Sequence, residues 1–506
     1  MGTDPIFPSQ SYGKWGLSPF WGLSPFFSFL CGAGTVLAFA PAGIFPLALL
    51  TFALLAHLWM SAAPRRCAWT GFWFGLGLYG AGASWVYVSL HQFGGMPAPL
   101  AGIATVGYCA FLALFPAAAG WLQARVPAGD PARACLVIPA AWVLFEWPLE
   151  WIFTGFPWLA AGYASVGWPL QGYAPLGGVY ALSFITLSLA GMAWLVARRR
   201  SRLLAIAGIL LVLGAGEALR HAPWTTPAGE PVAAALLQGN IEQEMKFSPQ
   251  RYPGIFDTYA RLAEGTSARL IVLPETALPR FLDRVAPQEL ARLEAAARRN
   301  NGDLLLGVPY RTGPERYYNT VVTLGVSPPQ AYHKVHLVPF GEFIPPGWGW
   351  ILQWLSIPLS DFSRGAPDQP PLAVAGQRVA VNICYEDAFG EEIAARAANA
   401  TLLVNVSNVA WFGDSLAPAQ HLSIARLRAV ETGRMHLAAT NTGITAAIDR
   451  DGRVIARLPQ FAEGRLEVAV QGYTGATPYV RLRDWPIVLL SLALVAFFVI
   501  RARLTR

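Results

Sequence analysis

The chain has 506 residues, of which 54% are hydrophobic and only 13% charged, and its mean hydropathy is +0.40. Soluble domains carry about 25% charged residues, so this composition excludes an ordinary soluble protein and requires a large membrane part. The formal net charge is +7, but no Lys/Arg-rich patch interleaved with aromatics occurs, which argues against nucleic-acid binding.

Residues 1–25 form a lead-in in which WGLSPF occurs in tandem, at 15–20 and 21–26. The repeat is too short for a solenoid, and the absence of a small-residue cleavage site predicts that the lead-in is retained. Seven apolar segments follow, at 26–41, 44–62, 68–90, 98–122, 134–150, 174–197 and 203–220. Each is near the ~20 residues that span a bilayer. A globular core does not explain seven such segments in a row, because surface helices of a soluble protein keep a polar face.

The loops predict the orientation. Arg65 and Arg66, then Arg125 and Arg133, then Arg198, Arg199, Arg200 and Arg202 occupy every other loop, while 91–97 and 151–173 contain no Lys or Arg. Basic loops stay cytoplasmic, so the N-terminus is predicted inside and the seventh segment exits on the far side. Glu146 and Glu150 fall near that far-side end of the fifth segment. Acids at membrane depth are costly and either serve a function or pair with a nearby donor.

From 221 to 484 charged residues return at ordinary density. Short β-rich runs at 232–238, 268–275, 303–309, 321–324, 378–384 and 400–407 alternate with helical stretches at 250–265, 286–300, 390–399 and 418–434, the pattern of an α/β domain. An eighth apolar run, 485–500, precedes Arg501, Arg503 and Arg506. Eight predicted spans place both termini in the cytoplasm and the α/β domain in the periplasm of a bacterium. The predicted domains are thus the lead-in 1–25, seven spans in 26–220, the α/β domain in 221–484 and the last span with its tail in 485–506.

The chemistry concentrates in that domain. RVAVNIC ends an apolar strand at Cys384, the one cysteine of the α/β domain, beside Glu386 and Asp387. A strand-end thiol flanked by carboxylates is one way to present a nucleophile, although an isolated cysteine is more often a small core residue. IVLPE delivers Glu275 at the end of a second apolar run, and AYHKVHLVPFGEFIP carries Lys334 and Glu342. A carboxylate takes a proton from a thiol, and does so better if burial raises its pKa. A lysine ammonium favours the thiolate and an oxyanion, with the Tyr385 N–H as second oxyanion donor. Individually, Glu275 reads as a strand-end charge and Lys334 as a solvated loop lysine. Together they suggest three strand ends of one sheet converging on one edge. His333 and His336 read as loop histidines, and no Cys/His cluster has metal-ligand spacing, so neither a metal nor a cofactor is expected.

LPET, HKVHLVPFGEFIP and NICYED, in this order, resemble the Glu-Lys-Cys triad of the nitrilase superfamily. With seven spans before the domain and one after, the chain resembles the apolipoprotein N-acyltransferase family, a likeness that continues through GASWVYVSLHQFGG (82–95) and WVLFEWPLEWIFTGFPWLAAGY (142–163). The resemblance implies a polytopic helical membrane domain joined to an α-β-β-α sandwich. It implies Glu275 as general base, Lys334 as transition-state stabiliser and Cys384 as nucleophile, supported by Glu342, Tyr385 and Glu386. Asn319 and Trp411 fall in segments resembling the pocket wall, and Phe247 stands where the family has a tryptophan. The implied reaction moves an acyl chain from a phospholipid, through a thioester, to the α-amine of a lipoprotein's diacylglyceryl-cysteine, by a monomer in contact with membrane lipids.

Between Lys334 and Cys384, the segment 345–362 carries Trp348, Trp350 and Trp354. Tryptophan favours membrane interfaces, so this segment is predicted to be a lid over the thioester, against the plainer reading of packing onto the membrane helices. Two rivals remain: a membrane-tethered amidase or nitrile hydrolase that uses water, and a transporter with a periplasmic domain. A hydrolase needs only one anchoring helix, and a transporter would show internal repeats and mid-span polar residues.

Overall fold

The computed structural model describes residues 24–60, 62–313, 316–345, 347, 349 and 361–505. Most of the lead-in and the proposed lid tryptophans Trp348, Trp350 and Trp354 therefore lie outside the described residues.

Helices form in all eight predicted apolar segments. Among the described residues five helical runs are long and apolar enough to cross a membrane, Ala98–Arg125, Asp130–Glu150, Pro169–Ala197, Arg202–Leu219 and Trp485–Leu504, while Pro25–Ala38 and Phe45–Trp59 are shorter. The third segment departs most from expectation. Its helix, Pro64–Gly82, starts earlier, takes in Arg65 and Arg66, and stops at Gly82. The rest of the segment turns off into the short helix Val86–Val88 and the wider turn Ser89–Phe93. Pro64–Gly82 lies against the first helix through small residues: a methyl on Gly77 would sit 2.0 Å from the carbonyl oxygen of Phe29. Such close backbone approach is how helices associate where lipid removes the hydrophobic driving force.

Residues 151–173 run as short 3-10 turns rather than a span. Phe153, Thr154 and Gly155 all have positive φ, at 50°, 74° and 87°. Glu146 ties this loop down, its Oε1 accepting the Ala161 N–H at 2.7 Å and the Trp142 indole N–H at 2.9 Å. The intramembrane acid thus has nearby donors, the plainer of its two readings.

Among the described residues the α/β domain contains two six-stranded sheets. The first has the order β12-β1-β2-β3-β4-β5 and the second β11-β10-β9-β8-β7-β6. The strands are β1 Thr226–Gln238, β2 Leu270–Val272, β3 Asp303–Gly313, β4 Arg316–Gly325, β5 Ala331–His333, β6 Leu372–Val374, β7 Gln377–Ile383, β8 Leu402–Ser407, β9 His436–Thr440, β10 Ala446–Ile448, β11 Val454–Arg457 and β12 Gly464–Thr474. β1, β2 and β3 run parallel, as do β7, β8 and β9, and the remaining neighbours are antiparallel. His333 ends a strand, so it is not a loop histidine.

Strand alternation explains the layers. Leu236, Val272, Leu305 and Val321 of the first sheet meet Val379, Val381, Val404 and Leu437 of the second in one inner core. The opposite face of the first sheet, with Ala235, Leu237, Ile271 and Leu304, is covered by Ile255, Phe256 and Leu293 of the helices Tyr252–Glu264 and Pro287–Arg299. The outer face of the second, with Ala380 and Leu403, is covered by Ile393 and Ala394 of the helix Gly390–Ala397. The result is an α-β-β-α sandwich. Its helix Ala417–Thr432 joins the membrane part, with Ile424, Leu427 and Val430 in one core with Tyr163, Val179 and Tyr180. β1 and β12 pair from Thr226 opposite Thr474 to Gln238 opposite Gly464, which brings both ends of the domain to the membrane helices flanking it.

Candidate active site

Glu275, Lys334 and Cys384 follow strand ends, but not of one sheet. Glu275 lies beyond β2 and Lys334 directly after β5, both in the first sheet, whereas Cys384 directly follows β7 in the second. The face-to-face packing of the sheets brings these strand ends together, and this corrects the single-edge expectation.

Glu275 is placed by a tight approach to β3. A methyl on Gly307 would sit 2.2 Å from the Pro274 oxygen and 2.9 Å from the Glu275 Cα, so only glycine fits there without displacing the turn. Lys334 is fixed from behind, its N–H donating to the Asn319 carbonyl at 2.8 Å. It is 1% exposed, which rules out the solvated-lysine reading. Its Nζ stands 2.8 Å from Glu342 Oε2 and 3.3 Å from Glu275 Oε1. Asn319 Nδ2 donates at 2.7 Å to both Glu275 Oε1 and Glu342 Oε1. Two acidic neighbours require the amide to present its nitrogen. The Asn408 N–H donates to Glu275 Oε2 at 2.8 Å, and the Val338 N–H to Glu342 Oε2 at 2.9 Å.

Cys384 opens a 3-10 turn, Cys384–Ala388, with φ 55°. A left-handed non-glycine residue costs about 1–2 kcal/mol and persists only when neighbours hold it. Several do. Glu386 Oε2 accepts the Ile383 N–H at 2.7 Å, and its Oε1 accepts the Val335 N–H at 2.8 Å and the His336 N–H at 3.1 Å. One buried carboxylate thereby joins the residue before the thiol to the residues after Lys334. Asn405 Nδ2 donates to the Cys384 carbonyl at 3.1 Å, and His421 Nε2 lies 3.3 Å from the same oxygen. The Tyr385 hydroxyl donates to the Gly155 carbonyl at 2.8 Å, and its ring stacks on Trp158 with centroids 6.2 Å apart. The residue after Cys384 therefore touches the positive-φ loop of the membrane part.

The electrostatics follow from burial and pairing. Burial, then the Glu275 charge, push the Cys384 thiol well above its ordinary value, with Lys334 opposing. Burial alone would raise Glu275 too, but Lys334, Asn319, Lys246 and the Asn408 N–H together hold it below the usual carboxylate range. Burial does not win here, because the fold gathers cations and donors around this carboxylate. Glu342 moves up, through burial and the neighbouring Glu275. These shifts favour a carboxylate on Glu275 and a neutral thiol on Cys384.

Trp411 stands apart from this cluster: its carbonyl accepts from Ser89 at 2.8 Å and its ring meets Phe93 at 6.1 Å. Phe247 follows the short helix Gln243–Lys246. That helix was missed from the sequence, and it supplies two site residues. Lys246 Nζ donates to the Glu275 carbonyl at 3.2 Å, and Gln243 Oε1 accepts from Asn408 Nδ2 at 2.8 Å. Asn408 and Asn441 were missed too, the Asn441 amide donating to Asn408 Oδ1 at 3.0 Å. Their signal is position, since each lies beyond the C-terminal end of a parallel strand, where α/β sheets place ligand-binding residues. Among the described residues no group of three or more His, Cys, Asp or Glu could hold a metal ion.

Residues 31–192 match the family described as apolipoprotein N-acyltransferase N-terminal domain, and residues 233–479 match carbon-nitrogen hydrolase. An apolipoprotein N-acyltransferase of Nitrosomonas europaea is 50% identical over 465 residues, covering 90% of this chain and 92% of the relative. One of Chromobacterium violaceum is 46% identical, covering 91% and 90%. Among solved structures, the C. elegans NitFhit protein aligns with TM-score 0.38 and 19% identity over 52% of this chain and 65% of its own. A Nesterenkonia amidase of the nitrilase superfamily aligns with TM-score 0.36 and 23% identity over 52% and 97%. At that identity and coverage by the two bacterial relatives, spanning membrane helices and sandwich alike, this chain belongs to the apolipoprotein N-acyltransferase family.

Proposed function

We propose that this chain transfers a fatty acyl group from a phospholipid to the α-amine of a lipoprotein's N-terminal diacylglyceryl-cysteine, through a thioester on Cys384. The observation that carries the reading is the buried ammonium of Lys334 held between Glu275 and Glu342, at the end of the sandwich where Cys384 emerges. In the first half-reaction Glu275 takes the thiol proton as the Cys384 sulfur attacks the ester carbonyl. Lys334 and the Tyr385 N–H stabilise the oxyanion. The carbon–oxygen bond breaks, the leaving lysophospholipid takes the proton from Glu275, and a thioester remains. In the second, the amine attacks the thioester, Glu275 accepts its proton, the carbon–sulfur bond breaks, and the proton returns to the thiolate. Glu342 and Glu386 support the site, the first through Lys334 and the second by joining the two loops.

The membrane part gives this chemistry its substrate. Tyr385, Ala388 and Phe389, next to the nucleophile, share one apolar core with the membrane helices. An acyl chain reaching the thiol from that side avoids exposure to water, which costs about 0.8 kcal/mol per methylene. The domains are read as the lead-in 1–25, spans in 26–220, the catalytic domain in 221–484 and a last span in 485–506, with eight spans in all. Five long apolar helices, two shorter ones and the helix Pro64–Gly82 make up that reading, and the alternation of basic loops supports a periplasmic catalytic domain with both termini cytoplasmic. Phe247 and Trp411 are read as lining the acceptor's approach, the segment bearing Trp348, Trp350 and Trp354 as the lid, and the working unit as a monomer.

The test is incubation with phospholipid and a diacylated lipopeptide. A lipopeptide heavier by one acyl chain supports the transferase. Free fatty acid with an unchanged lipopeptide would establish the hydrolase instead.

A further inference from the structure

The site contains a second buried ammonium that the reaction above does not use. Lys246, on the short helix Gln243–Lys246, is 1% exposed, and its Nζ donates to the carbonyl oxygen of Glu275 at 3.2 Å. Its charge is felt by the Glu275 carboxylate and by the Cys384 thiol. Gln243, one helical turn earlier, supports the same carboxylate from the other side, through Asn408, whose N–H donates to Glu275 Oε2 at 2.8 Å. A lone buried lysine is expensive unless its charge is matched.

The count of charges explains its presence. Glu275 and Glu342 face Lys334 at 3.3 and 2.8 Å. Without Lys246, two carboxylates would share one ammonium in a buried site. With it, the four groups balance, and moving the proton from Cys384 to Glu275 leaves the total unchanged. We propose that Lys246 is a positioning residue for the thioester chemistry, a second ammonium that balances the charge of Glu275 while the proton passes between it and Cys384. This rests on the acyl transfer through Cys384 proposed above. Burial, opposed by Glu275 and Cys384, brings Lys246 down to about 8, so its charge is present at neutral pH and is lost as pH rises through that value.

The experiment measures acylation of Cys384 by intact-protein mass in the full-length protein, with phosphatidylethanolamine in detergent micelles, across about pH 3–10. Lys246→Met is expected to slow acylation about tenfold or more and to move the acid limb of the rate up by about 1 pH unit, because a cation beside a carboxylate lowers its pKa by that order. Lys246→Arg is expected to restore the acid limb and to hold the rate further into alkali than the native protein, since arginine keeps its charge. A Lys246→Met protein whose acid limb coincides with the native one overturns the proposal, whatever its rate, because a mere tether would slow the reaction without moving that limb. Should Lys246→Met fail to fold, the comparison of Lys246→Arg with the native protein decides, and coincident alkaline limbs overturn it. Absence of any adduct on the native Cys384 overturns the acyl-transfer reading, and this one with it.

Discussion

Lys334 and Glu275 face each other across 3.3 Å, the lysine 1% exposed and the glutamate 7%. Taking ions out of water is costly, so such a pair stands only while both partners remain. Lys334→Met leaves Glu275 and Glu342 buried without their shared ammonium. It is expected to lower stability by about 3–5 kcal/mol and to abolish acylation of Cys384. Thermal unfolding in detergent and the adduct assay check the two effects separately. An unchanged melting temperature would show that the pair contributes nothing to the fold.

Glu275 is held below the usual carboxylate range by Lys334, Asn319, Lys246 and the Asn408 N–H, which outweigh its burial. A depressed folded-state pKa means that its stabilising contribution is complete above the unfolded value, about 4.3, and is lost as pH falls through the lower folded value. The acid limb that Glu275 imposes on acylation therefore lies below about pH 4.3. Asn319→Ala removes a donor at 2.7 Å and is expected to move that limb upward. A rate profile in which the limb stays put would contradict the role given to Asn319.

Gly307 gives a purely steric prediction. Gly307→Ala places a methyl 2.2 Å from the Pro274 oxygen and 2.9 Å from the Glu275 Cα. Overpacking of this kind costs about 1–3 kcal/mol, and displacement of Glu275 is expected to lower kcat by more than the loss of stability accounts for. Kinetics alongside thermal unfolding test this. A variant of native kcat would mean that the Glu275 turn tolerates movement.

Tyr385→Phe tests the link to the membrane part. It removes the hydrogen bond to the Gly155 oxygen at 2.8 Å but keeps the rings of Trp158 and Phe389 in reach. The expected loss of stability is about 0.5–1.5 kcal/mol. Acyl transfer from phospholipid is expected to fall more than hydrolysis of a small soluble ester, since the loop at Phe153–Gly155 belongs to the membrane part. Equal losses in both assays would detach that loop from the acyl donor.

The proposed lid makes a parallel prediction. Replacing Trp348, Trp350 and Trp354 by alanine is expected to slow transfer from phospholipid and to spare the soluble ester, because tryptophan's affinity is for the interface. Equal survival of both activities removes the lid.

The legible part of this chain was what apolar runs mark. β2 and β8 are fully buried and β7 nearly so, and Glu275 and Cys384 each stand just past such a run, so their positions could be read locally. β5, β6, β9, β10 and β11 are only three to five residues long, too short for a period to emerge. The single-edge expectation failed because strand ends show direction along the chain but not which sheet a strand joins. Lys246, Asn408 and Asn441 were invisible for another reason. Each is polar, each sits in a short helix or loop of unremarkable composition, and each has partners distant in sequence, as Asn408 has Glu275, 133 residues away. The third span misled because its apolar run continues past Gly82, where the helix ends and the chain turns toward Trp411.

The most direct measurement is the intact mass of the protein after exposure to phospholipid alone, followed by peptide mapping. The predicted result is a gain of one acyl chain on Cys384, absent in Cys384→Ser and strongly reduced in Glu275→Gln, that disappears when a diacylated lipopeptide is added and reappears on its amine. An acyl chain found on another residue, or lipopeptide acylation that persists in Cys384→Ser, would contradict a thioester at this sulfur.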